Sequence, residues 1–104
     1  MKDILATVTA GIVERSLDGA IRLSELKYEP RIVRLTQRVS ILLTPITKKR
    51  DERLRLLTLL YGRPIHTTYN LTVAEARAFI ALFQVAPQQF TEYIINLKKE
   101  DTND

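Results

Sequence analysis

The chain has no cysteine, no tryptophan, one histidine, one methionine and three glycines in 104 residues. Without thiols it forms neither disulfides nor thiolate metal sites. His66 has no carboxylate beside it in sequence, so no nucleophilic dyad or local metal cluster arises. The glycines are too scattered for a phosphate-cradling loop. No apolar run reaches the length of a membrane span, and MKDILATVTAGIVERS lacks the basic start and long apolar middle of a secretory signal. These absences predict a cytoplasmic protein with no membrane role, no cofactor and no metal, and not an enzyme. Binding is the activity that remains.

What is present suits one folded domain. The composition is 45% hydrophobic and 27% charged, ordinary for a globular chain and unlike a disordered one. At this length folding removes roughly 60 to 70% of the unfolded surface from water, enough for a real core. There is no internal repeat and no Pro- or Gly-rich linker. The expected domain spans residues 1–99, and EDTND, residues 100–104, is expected to fray.

The patterning predicts a mainly α protein, a small bundle of about five helices. Residues 3–17 place Ile4, Leu5, Val8 and Ile12 on one stripe, with Gly19 positioned to end the helix. Residues 20–28 suggest a short helix ending before Pro30. Residues 31–43 read two ways. As a helix they gather Ile32, Leu35, Val39, Leu42 and Leu43 on one side; as a strand they alternate, which would make the fold α+β. The helical neighbourhood favours helix. Thr44 and Pro45 look like an N-cap and first position of a helix running to Gly62, while residues 63–70 suggest a short strand or extended segment. Thr72 and Glu75 form a capping box for a further helix, and Pro87 opens the last one.

Net charge is +4, unevenly spread. Residues 31–63 hold nine basic side chains against Asp51 and Glu52, a local balance of +7, and the remainder carries −3. The cluster KKRDERLR is the strongest functional feature, and Arg31, Arg34 and Arg38 add a second basic line. Such charge attracts phosphate through counterion release. The candidate nucleic-acid-binding residues are therefore Arg31, Arg34, Arg38, Lys48, Lys49, Arg50, Arg53 and Arg55. The plainer alternative is a solvated helix face with Asp51 and Arg55 as an i,i+4 pair. Aromatic residues do not interleave with these charges, so contact with a duplex backbone is expected rather than stacking on single strands.

The stretch LTVAEARAFIALFQVAPQQFTEYI, residues 71–94, resembles the opening two helices of the Cro/repressor-like helix-turn-helix family. Thr72, Glu75, Arg77, Phe79, Phe83, Val85, Gln88, Gln89 and Phe90 carry the resemblance. It implies two helices meeting at a corner in a DNA-associated regulator. Gln84 stands where a glycine usually turns the chain, and only INLKKEDTND follows, so no base-contacting residue is carried over from the family. In a second register, QVAPQQFTEYI aligns with the reading helix and makes Gln88, Gln89 and Glu92 the candidates. The overall expectation is a small nucleic-acid-associated protein gripping the phosphate backbone through its middle third. The alternative is an adapter or inhibitor, as a homodimer or docked on an acidic protein surface.

Overall fold

The computed structural model describes residues 2 to 103. The chain is mainly α: α1 (Lys2–Arg15), α2 (Pro30–Leu43), α3 (Arg50–Tyr61), α4 (Val73–Val85) and α5 (Pro87–Asn103), with 3-10 turns at Leu23–Leu26 and Thr68–Asn70. Helix α4 is the hub. It packs on α1, α2 and α5, while α3 leans on α5. Val73, Ala74, Ala76, Ala78, Phe79 and Leu82 of α4 are all buried, and small alanines let neighbouring helices approach closely. Phe79, Phe83 and Phe90 form an aromatic triad with ring centroids 4.9 to 5.3 Å apart, locking α4 to α5.

The start of α4 is finished from two sides. Thr72 Oγ1 accepts from the Glu75 amide, and the Thr72 amide donates to Glu75 Oε1 at 2.9 Å. The next orphan donors, the Val73 and Ala74 amides, reach the carbonyls of Ile21 and Gly19, both at 2.9 Å. The link after α1 thus supplies what an isolated helix end would leave to water. Gly19 is buried there. A Cβ on it would lie 2.9 Å from Val13 Cα.

Helix α2 resolves the ambiguity of residues 31–43. Ile32, Thr36, Val39 and Leu43, at i, i+4, i+7 and i+11, are its buried side. Among the described residues there is no strand, only one antiparallel bridge between Arg22 and Thr72. Segment 63–70 is accordingly an ordered loop, tied by Asn70 Oδ1 accepting from the His66 and Thr67 amides.

Three expectations need correction. Residues 20–28 give only the short 3-10 turn, because part of their backbone is bonded to the 71–73 segment: Leu23 N–H donates to the Leu71 carbonyl at 2.8 Å, and the Ile21 carbonyl accepts from the Val73 amide. Thr44 does not start a helix. Its amide and hydroxyl both donate back to the Ser40 carbonyl, so it closes α2. The next helix begins at Arg50, after Ile46 and the buried Thr47 have carried the chain across the core edge. Ile4 drops out of the α1 stripe and is 51% exposed, leaving Leu5, Val8 and Ile12 to pack. Helix α5 includes residues 100–103, and Asp104 lies outside the described residues.

Candidate nucleic-acid interface

Pro30 occupies the first position of α2, where its missing N–H costs nothing, and Glu29 precedes it as N-cap. With Ile32, Thr36, Val39 and Leu43 turned inward, the 3.6-residue period turns Arg34, Gln37, Arg38 and Ile41 outward. Arg34 and Arg38 are exposed and have no carboxylate partner among the described residues. Arg31 is different. It holds Asp18 at 2.6 Å and Glu29 at 2.8 Å. The Ser16 hydroxyl and then Arg31 keep the Asp18 carboxyl below its ordinary value, so this arginine is already neutralised.

Around α3 the cations also divide. Lys48 and Lys49 are exposed on the extended approach, and Arg50 is the first helical residue. The half-buried Arg53 folds back so that its guanidinium donates to the Lys48 carbonyl. Thr47 donates to the Glu52 carboxylate, which this bond, helped by Lys98 and Lys49, holds below its usual range. Arg55 does not pair with Asp51. It grips Asp101 of α5 through two hydrogen bonds, of 2.8 and 3.2 Å. Arg63 pairs with both Glu75 oxygens and reaches the Asn70 carbonyl.

The basic third is thus two groups. Arg34 and Arg38 lie on the outward face of α2. Arg50 and Arg53 lie against its other flank, lining a small recess with Ser40, Leu43, Leu54, Leu57, Thr67 and Thr68. On the helical net Ser40 is about 120° round from Arg34 and about 160° from Arg38. Asp51 and Glu52 point elsewhere, into a groove shared with Arg55, Leu56, Lys98 and Asp101. The two sides of α3 therefore differ in sign near its start, with arginines towards α2 and carboxylates towards α5.

Compared with family models, characterised proteins and solved structures, the chain matches none of them.

Sequence reasoning found the cations but not their partners. Asp18, Asp101 and Glu75 lie 13, 46 and 12 positions from the arginines they hold, beyond any local pairing rule. Ser40, Thr67 and Thr68 were equally hidden, because nothing local signals that a mid-helix serine and a loop threonine share a wall with Arg50. Gln88, Gln89 and Glu92 sit exposed on the first turns of α5, and their neighbourhood, with Pro87 and Thr91, contains no cation.

Proposed function

We propose that this is a small nucleic-acid-associated protein that binds the phosphate backbone through its basic third. One observation carries the reading: Arg34, Arg38, Lys48, Lys49 and Arg50 are exposed and form no salt bridge among the described residues, Lys49 acting on Glu52 only at longer range, while Arg31, Arg55 and Arg63 are paired. Exposed cations without a paired carboxylate keep their full charge for an outside anion, and a phosphate backbone gains from them by releasing its counterions. Adding Arg53 gives six cations available to phosphate. The α4–α5 corner, the part that resembles a helix-turn-helix, then serves as scaffold, since Phe79, Phe90 and Ile94 are spent on the core.

Binding to a short DNA duplex, followed by fluorescence anisotropy across a salt series, tests this. Because the two groups face different ways around α2, a duplex seated on one of them neutralises about two to four phosphates, which implies a log–log salt slope of about −2 to −4 and an affinity loss of about ten- to a hundredfold between ~50 and ~200 mM salt. Absence of binding at low salt overturns the reading.

A second reading, docking on an acidic protein surface or on a second copy, is favoured by Ile41. It is 60% exposed on the same face as Arg34 and Arg38, where phosphate has no use for it. Ile41→Ser discriminates. Unchanged duplex affinity supports nucleic acid, and a lost dimer in light scattering supports the protein partner.

A further inference from the structure

The recess at the junction of α2, α3 and the 67–68 turn has features that a general electrostatic surface does not need. Its walls come from three separate segments: Ser40 near the end of α2, Arg50 and Arg53 in the first turn of α3, and Thr67 and Thr68 in the loop before α4. Leu43, Leu54 and Leu57 form its apolar floor. We propose that this recess seats one phosphate group of a nucleic-acid backbone, which fixes the register of the protein on its ligand. The inference rests on the nucleic-acid reading and deepens it by naming an anchor within a surface otherwise held by long-range charge.

Charge, donors and size support it. The polar groups are cations and hydroxyls, because Asp51 and Glu52 line the groove on the other side of α3. Arg53 spends one donor on the Lys48 carbonyl, which holds the guanidinium in place and leaves its remaining N–H groups to bind. A planar guanidinium suits two phosphate oxygens at once, and the other polar side chains on the wall, Ser40, Thr67 and Thr68, carry hydroxyls, that of Thr67 also accepting from the Tyr69 amide. The partial positive charge at the start of the 12-residue α3 adds to that of the arginines. The volume is about 70 Å³. That is room for a small tetrahedral oxyanion. A phosphate is the part of a nucleotide that carries no sequence, which matches positioning rather than base readout.

The test compares the full-length wild type with Arg50→Gln/Arg53→Gln, with Thr68→Asp, and with the outer-face pair Arg34→Gln/Arg38→Gln. Duplex affinity and salt slope are measured for each, and an amide NMR titration with inorganic phosphate is run on the wild type. Thr68→Asp keeps both arginines and the Lys48 contact, so it guards against a folding defect in the double variant. The expected result is about tenfold weaker binding for both recess variants, with the slope of the double variant shallower by about one or more. Phosphate should shift the Ser40, Arg50 and Thr68 amides. Wild-type affinity and slope in both recess variants, with only the outer-face pair weakened, would overturn the anchor and leave the nucleic-acid reading standing. If the wild type binds no duplex, that reading fails. Phosphate shifts confined to the recess would then reassign it to a free phosphate compound, and no shifts would overturn the site altogether.

Discussion

Glu75 joins three parts of the molecule through one carboxylate. It accepts from the Thr72 amide to cap α4, and both its oxygens receive Arg63, which also secures the loop carbonyl of Asn70. Burial pushes its pKa up, but the Arg63 pair and the Thr72 bonds outweigh burial and hold it below the ordinary value of 4.5. The unfolded chain therefore binds this proton more readily than the folded one. The stabilisation is complete above the unfolded value and is lost as pH falls through the lower folded value. Glu75→Gln should cost about 1 to 2 kcal/mol at neutral pH, with thermal unfolding as the measure. The difference from wild type should shrink on titration below pH ~4. Tyr61 acts at the other end of the scale. Burial raises its phenol well above the ordinary value of 10, so its contribution holds below that pH and declines in more alkaline solution.

Helix boundaries were legible wherever the signal was local. The Thr72–Glu75 box and Pro87 each mark the start of an observed helix, and Gly62 follows the end of α3, because a cap or a fixed φ acts within one turn. Thr44–Pro45 misled for the same reason in reverse. The pair has the chemistry of a helix start, but Thr44 instead bonds back to Ser40, and the real start at Arg50 has Lys49 as N-cap with no side-chain hydrogen bond to advertise it. Packing between elements was hidden for lack of any such signal, and Gly19 illustrates this. In sequence it is a helix terminator; in the fold its missing side chain lets the backbone lie against Val13 and lets its carbonyl serve α4. Gly19→Ala should destabilise by about 1 to 3 kcal/mol through overpacking. Phe79→Ala, which empties the centre of the aromatic triad, should cost about 3 to 5 kcal/mol. Chemical denaturation of the two variants tests both figures.

Across the whole molecule, distant carboxylates decide how much of the basic charge is on offer. The cations of the candidate site were readable as a composition bias, whereas their availability was not, because it depends on contacts such as Arg55 with Asp101. Asp101→Asn should release Arg55 beside the start of α3. Duplex affinity should rise severalfold and the salt slope steepen by up to about 0.9, with little change in melting temperature, since the pair is on the surface. The central position of α4 has a different consequence, concerned with the order in which the chain is made. Helices α1 and α2 both dock on α4, which is synthesised only after both of them and α3. Until then the apolar sides of Leu5, Ile32 and Val39 have no partner, and the nascent chain carries them in the open. Docking α1 on α4 closes a long loop, a cost that the buried contacts have to offset, so these contacts are expected to form together once α4 is present.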